Sequence, residues 1–393
     1  MTEKRGIGSV AVKGRRVLVR VDFNVPQEPN GQVADDRRIQ EALPTLHHLR
    51  TSGARTILMT HLGRPDGRRD PRFSLKPVAR RLSSLLGQSV PLADDIVGIH
   101  ALEMSTRIEN GQFLMLENLR FHPGEEANDP GFASQLARLG ELFVEDAFGA
   151  VHRAHASTVG VPKRLPSVAG LLVEREVHEL SRLVQNPTRP YVVLLGGAKV
   201  LDKLPLLTSF CQRADALLLG GALAFPFLAA AGANLGATEI EPGLEPAVAA
   251  LHREATAAGS TIVLPTDVVV ERPGTPGAET YPIGSIPSDA LCRDIGPATR
   301  SLFQAVLATS RTVFWNGPLG KAEDPRFAEG TRAVLLSLAS VPGYHVAAGG
   351  DSARVAQDLG VIGSFQFVST GGGAALEFVQ GIELPGLAVL PDA

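Results

Sequence analysis

Cysteine is almost missing from this chain: Cys211 and Cys292 are the only two among 393 residues, far apart and outside any CxxC spacing. Neither a disulfide framework nor a thiolate zinc site can be built from them. Charge of one sign is missing too. The net charge of -3 comes from acidic and basic residues spread along the whole sequence, so there is no basic field of the kind that nucleic-acid backbones or anionic membranes require. The first residues, Met1 to Gly14, carry charges but no apolar core of a secretory signal, and the cytoplasm is the expected compartment. One uncharged run, Ala216 to Ala233, is about as long as a membrane span needs. It is interrupted by Gly220-Gly221 and by Pro226, and is expected to be a buried strand, a glycine turn and a helix. The motifs GxxxxGK[ST], HExxH and GxSxG are all absent, which removes the Walker-type nucleotide loop, the zinc protease helix and the hydrolase elbow. A GxGxxA match at Gly6 to Ala11 precedes the first apolar run instead of following one, the wrong context for a dinucleotide turn.

What the sequence does hold is enough apolar residue, 44% against 20% charged, to bury large cores, and disorder is excluded. A length prior of about 100 to 200 residues per domain gives two or three domains, with two the working number. Short β-branched runs alternate with helical stretches. They lie at 16–23, 55–60, 113–117 and 142–145 in the first half, and at 191–195, 216–219, 261–264, 312–315, 344–347 and 365–369 in the second. Runs that are continuously apolar read as parallel strands covered on both faces. The class is therefore α/β, as two Rossmann-like domains, each a mostly parallel sheet flanked by helices. Between the halves, Val173, Val177, Leu180 and Val184 are spaced by four, three and four, with Glu174, Arg175, Glu179 and Arg182 on the other faces. That spacing predicts an amphipathic helix. Asn186-Pro187 ends it, so a first domain over 1–170, an interdomain helix over 171–188 and a second domain from 189 are expected. Such a connector suits an enzyme that hinges and closes over its ligands.

In open parallel sheets ligands sit outside the carboxyl ends of the strands, and the two halves differ there. After the first-half runs come Asp22 and Asn24, then His61 and Arg64, then Arg120, then Asp146 with His152 and Arg153 just beyond; Arg38 can join them. Converging guanidinium groups make paired, charge-assisted bonds to carboxylate or phosphate oxygens, so this edge fits a small, highly anionic ligand. His152 and His155, three apart, have no third ligand near them, and a structural role outweighs a metal pair. After the second-half runs come Gly196-Gly197, Gly220-Gly221, Asn316-Gly317, Gly349-Gly350-Asp351-Ser352 and Gly371-Gly372-Gly373. Glycine turns feeding helices present free N–H groups and a helix dipole to phosphates. Lys199 and Lys203 are expected on one face at the start of the helix after the first turn, and Asp351 where a carboxylate can bind the magnesium that accompanies a nucleotide. One half fits a compact anion and the other a polyphosphate, which together imply phosphoryl transfer. A hinged binding protein without chemistry would have no use for the second anion site.

Eight ordered motifs complete the reading: RVDFNVP from Arg20, HLGRP from His61, LENLRF from Leu116, DAFGAVHRAH from Asp146, LGGAKVLDK from Leu195, WNGPLG from Trp315, AGGDS from Ala348 and STGGGAALE from Ser369. Over nearly its full length the chain resembles phosphoglycerate kinase. The resemblance implies reversible phosphoryl transfer between 1,3-bisphosphoglycerate and ADP, giving 3-phosphoglycerate and ATP with Mg2+, in a monomer without nucleic-acid or membrane partners. It implies a second domain running to 373 and a tail over about 374–393 that packs back on the first. It places the triose ligand on Asp22, Asn24, Arg38, His61, Arg64, Arg120 and Arg153, and the nucleotide on Lys199, Lys203, Gly220, Gly221, Gly296, Asn316, Glu323, Gly349, Gly350, Asp351 and Ser352. Catalytic roles fall to Arg38, Lys199, Gly350 and Gly373, with Asp351 on the metal. The chain departs from the family pattern at Ala222, Leu223 and Pro226 near the adenine pocket, at Lys321-Ala322, and at Glu145, where Asn is common. Those departures bear on nucleotide affinity and base preference, and they keep a catalytically inactive relative as the alternative.

Overall fold

The computed structural model describes residues 3–197, 200–275 and 277–393, with the backbone alone for Asp351. The chain divides into two compact units, one reaching to Ser181 and completed by Gly381–Ala393, the other Arg182–Gln380. In the first unit β1 (Arg16–Val21), β2 (Arg55–Met59), β3 (Phe113–Met115), β4 (Leu142–Asp146) and β5 (Ser167–Ala169) form one sheet in the order β3-β2-β1-β4-β5. Every neighbouring pair is parallel. The strand order reverses between β1 and β4, so the loops leaving these two strands part and open a crevice at their carboxyl ends. Val17, Val19 and Val21 of β1 pack with Leu58, Val144 and the helix residues Leu46 and Leu82 in one apolar cluster. Past half-buried Arg16, burial of Val17–Val21 explains the apolar pattern of β1, which is broken only by Arg20, itself 0% exposed.

The second unit holds β6 (Tyr191–Leu195), β7 (Ala216–Leu219), β8 (Thr261–Val263), β9 (Asp267–Glu271), β10 (Glu279–Pro282), β11 (Leu291–Ile295), β12 (Thr312–Asn316), β13 (Tyr344–Ala348) and β14 (Phe367–Ser369). Six of them make a parallel sheet in the order β14-β13-β12-β6-β7-β8, reversing between β12 and β6. The other three form an antiparallel sheet, β10-β9-β11, with a bulge in β11 between Cys292 and Asp294. This small sheet and β5 escape the sequence reading. Most of these strands are short or half-polar, such as Glu279–Pro282 and Leu291–Ile295, and the apolar run of β9 is only the three residues Val268–Val270. The uncharged segment from Ala216 is β7, a glycine turn and the helix Phe225–Ala230. Among the described residues no helix is long and apolar enough to cross a membrane.

The amphipathic pattern between the halves is the helix Leu171–Val184, anchored at its start by Asp146, whose carboxylate accepts from Leu172 N at 3.0 Å. The unit division falls inside this helix, after Ser181. At the other end of the chain the helix Gly373–Gln380 counts with the second unit, and only Gly381–Ala393 returns to the first. That is seven residues later than the sequence suggests, because Ala374, Ala375, Phe378 and Val379 are buried and the neighbouring Arg213 donates to Val379 O at 2.8 Å and Gln380 O at 2.7 Å.

Asp267 ties the antiparallel sheet to the helix Pro297–Ala308. Its carboxylate accepts from Thr299 N at 2.7 Å and Ala298 N at 2.9 Å, two of the N–H groups that a helix start leaves open, and from Thr299 Oγ1 at 2.6 Å. Gly296 precedes this helix because a Cβ there would lie 2.2 Å from the Asp267 carboxyl carbon. Asp267→Ala is expected to destabilise the second unit by about 2 kcal/mol, the upper end for a lost helix cap, seen as a lower melting temperature for that unit in calorimetry.

Candidate active site

In the first unit the loops leaving β1, β2 and the short strand β3 are stitched together by polar side chains. Asp22, just past β1, accepts from Arg38 Nη1 at 2.7 Å, and Arg38 sits in the first turn of the helix Arg37–Thr51. The Asp22 side chain is 9% exposed and the Arg38 side chain 31%, so the carboxylate holds the guanidinium while one face of it stays open. Asn24 Oδ1 accepts from Gly63 N at 2.9 Å. Asn118 bonds Leu62 from both sides, through Leu62 N at 3.2 Å and Leu62 O at 2.8 Å. Arg120, 4% exposed, donates to Gly63 O at 2.7 Å and lies 3.0 Å from Glu126. Arg64 is exposed and makes no ion pair among the described residues, and half-buried Arg153 donates to His152 Nε2 at 3.1 Å. All seven residues expected to hold the triose ligand are thus on or beside this one strand edge.

Arg20 is the member that sequence reasoning missed. It lies within β1, fully buried, where its Nε donates to Ser157 Oγ at 2.9 Å and its Nη2 meets His61 Nδ1 at 3.0 Å. A charge inside the otherwise apolar stretch Val17–Val21 was the available signal, since a buried arginine must be paired. Its counter-charges are also buried: Glu125 and Glu145 are both 0% exposed. Burial pushes both carboxyls above their usual range, and the nearby Arg20 works against that rise. The same burial, reinforced by Arg20 and Arg120, holds His61 well below the ordinary imidazole value and brings His155 down to about 3.

The second unit's edge is built differently. The turns after β6, β7 and β12 touch backbone to backbone. A Cβ on Gly196 would lie 2.0 Å from Pro318 O, and one on Gly317 would lie 2.4 Å from Gly196 O. Gly197, Gly221 and Gly317 also take positive φ, at 105°, 60° and 87°, a region that L side chains disfavour. The glycines at this junction are therefore demanded by the neighbouring turn, whereas Gly350 and Gly372 face open space. Lys203 is in a short turn ahead of the helix Leu204–Cys211 rather than on its first face, and donates to the carbonyls of Gly196 and, at 3.4 Å, Asn316. Asn316 donates to Ala348 O at 2.7 Å and keeps a buried Oδ1 without a partner among the described residues. Ser352 Oγ accepts from Gly317 N at 2.9 Å, and Gly349 precedes the helix Gly350–Asp358. Lys199 and the side chain of Asp351 lie outside the described residues.

Beside these turns is a cleft of about 630 Å³, lined by Gly197, Gly221, Ala222 and Phe225 on one side and by Leu291, Cys292 and Arg293 of β11 on the other, with Thr238, Glu239, Lys321 and Glu323 at its margins. Its volume is that of a drug-sized or nucleotide-sized ligand. Glu323, predicted for this ligand, lines it, as do Gly221 and the divergent Ala222 and Lys321. The wall from β11 and residues 237–239 carries no motif and was invisible in the sequence.

One unit with a cation-rich strand edge and another with a glycine-built junction beside a nucleotide-sized cleft define a phosphotransferase of the two-unit α/β type. The family model described as phosphoglycerate kinase matches residues 7–382. The phosphoglycerate kinase of Pelotomaculum thermopropionicum is 47% identical over 391 residues, covering 99% of both chains, and that of Thermomicrobium roseum 48% over 390 residues with the same coverage. Among solved structures, phosphoglycerate kinase from Coxiella burnetii superposes with a TM-score of 0.90 at 36% identity, and that from Pyrococcus horikoshii with 0.87 at 32%, each covering 98% of both chains. The chain belongs to the phosphoglycerate kinase family, phosphotransferases whose acceptor is a carboxyl group.

Two outcomes test this geometry. Gly196→Ala, whose Cβ must displace backbone, is expected to cost the second unit about 2–4 kcal/mol, while Gly350→Ala, with nothing within 4 Å, leaves its melting temperature within a degree or two. His61 and His155, with folded pKa values below the ordinary 6.5, contribute stability that is present above 6.5 and lost as pH falls toward their folded values, at most about 1.4 kcal/mol per pH unit each. The raised carboxyls of Glu125 and Glu145 act in the opposite sense, gaining stability as pH falls through their folded values. The two imidazoles are expected to keep neutral-form NMR signals from pH 8 down to pH 5.

Proposed function

We propose that this chain transfers the terminal phosphoryl group of MgATP to the carboxylate of 3-phosphoglycerate, and back from 1,3-bisphosphoglycerate to ADP. The observation that carries the reading is the first unit's edge, where Arg38, His61 and Arg120 are held by Asp22, Arg20 and Gly63 O beside the unpaired Arg64. This is a preorganised receptor for a small polyanion. The cleft and glycine junction of the second unit take the nucleotide, with the base in the cleft against Gly221 and Glu323 and the phosphates toward Lys199, Lys203, Asn316 and the helix start at Gly349 to Ser352. Magnesium arrives with the nucleotide, and Asp351 is its proposed protein ligand. The protein works as a cytoplasmic monomer, without nucleic-acid or membrane partners.

The acceptor carboxylate, with a pKa of about 4, is already ionised at neutral pH, so no general base is needed. What remains is to bring two anions into line and to neutralise charge on the group in flight. Arg38, whose open face is oriented by Asp22, supplies charge on the acceptor side. Lys199 and the amides of Gly350 and Gly373 supply it on the donor side. Turnover of 3-phosphoglycerate and MgATP, coupled to reduction of the acyl phosphate, is expected for the wild type, and Arg38→Ala is expected to lower it on the order of a hundredfold or more. A wild type that binds MgADP but does not turn over would make the chain an inactive relative and sink the proposal.

A further inference from the structure

Behind the arginine-lined edge runs a line of hydrogen bonds whose direction is fixed by chemistry. Arg20 is the source, because a guanidinium has five N–H donors, no acceptor and no accessible neutral form. On one side its Nε donates to Ser157 Oγ at 2.9 Å, and that hydroxyl donates onward to Glu125 Oε1 at 2.5 Å. Glu125 Oε2 also accepts from Ser157 N at 3.0 Å, so the carboxylate grips this residue by backbone and side chain together. On the other side Arg20 Nη2 lies 3.0 Å from His61 Nδ1. Since the arginine can only donate, Nδ1 must offer its lone pair, and the imidazole proton is left on Nε2. His61 is 8% exposed and lies two residues past the end of β2, at the ligand edge.

We propose that Glu125 and Ser157 are positioning residues that hold Arg20 in place and, through it, lock His61 as the Nε2–H tautomer, aimed to donate to an oxygen of the anionic ligand. Glu125 also lies 3.9 Å from His155 Nδ1, and among the described residues neither Glu125 nor Ser157 hydrogen-bonds any of the seven residues expected to hold the ligand. Glu125 and Arg20 are both 0% exposed, so the carboxylate, together with that of Glu145, is also a counter-charge to the buried guanidinium. Nη1 donates to the carbonyl of Val21, the next residue of the same strand, and completes the clamp. A neutral histidine locked in this way offers one donor to the edge without adding a further charge, and its direction is set from the protein interior.

The inference rests on the reading of this edge as the 3-phosphoglycerate site, but its first test does not. Resting wild-type protein labelled with 15N-histidine, with His61 assigned through His61→Gln, should show a protonated Nε2 and a bare Nδ1; a proton on Nδ1, or an even mixture, overturns the proposal. In Ser157→Ala and in Glu125→Gln the tautomer should become mixed. The KM for 3-phosphoglycerate should rise roughly tenfold, the size of one lost charge-assisted hydrogen bond, with the KM for MgATP unchanged. Variants that melt earlier yet keep the wild-type tautomer and the wild-type KM would reduce both residues to structural ones and refute the positioning role. Should Ser157→Ala not fold, the wild-type tautomer and Glu125→Gln decide the matter. A protein without activity toward 3-phosphoglycerate removes the substrate assignment and leaves the tautomer result standing.

Discussion

A parallel sheet has to release its chain at the carboxyl ends of its strands, and where the strand order reverses, two adjacent strands send their connections to opposite faces. That constraint acts in both units, between β1 and β4 in the first and between β6 and β12 in the second. It fixes where a ligand can sit before any side chain is chosen. Everything distinctive about the two edges is a different answer to the same geometric opening.

In the first unit the answer is charge. The crevice is faced with guanidinium and imidazole groups, several of them tethered from within the same unit, as Arg120 is by Gly63 O, Arg38 by Asp22 and His61 by Arg20. The cost appears in the interior, where Arg20, Glu125 and Glu145 are all fully buried and the carboxyls are driven upward by burial despite the neighbouring arginine. In the second unit the answer is backbone. Turns pressed to within van der Waals distance exclude side chains at Gly196 and Gly317, and the antiparallel sheet supplies a wall that a purely parallel fold would lack.

Much of this was legible in the sequence, for physical reasons. Continuous apolar runs betrayed strands buried on both faces, and arginines or glycines clustered just after them marked the two edges. Illegible were the features set by tertiary contact. Lys203 bonds the carbonyls of Gly196 and Asn316, Gly296 yields its Cβ space to Asp267, and Glu125 is buried 3.9 Å from His155 Nδ1. Glu279–Pro282 and Leu291–Ile295 present half-polar faces that no periodicity separates from loop. Arg20 lies between these cases, since its charge within an apolar strand was visible but its partner His61 is forty-one residues away.

The first unit contains both ends of the described chain. Lys4 pairs with Asp392 at 2.7 Å, Ala393 N donates to Glu3 O at 3.0 Å, and Gly386 packs on Val151 with its N–H on Val151 O at 2.8 Å. In topological terms the second unit is an insertion, contiguous from Arg182 to Gln380, while its host is discontinuous. During synthesis on the ribosome the inserted unit has its whole sequence available before the host does. The host stays short of a segment it needs until Gly381–Ala393 has emerged, so of the two units the one begun first is the one completed last.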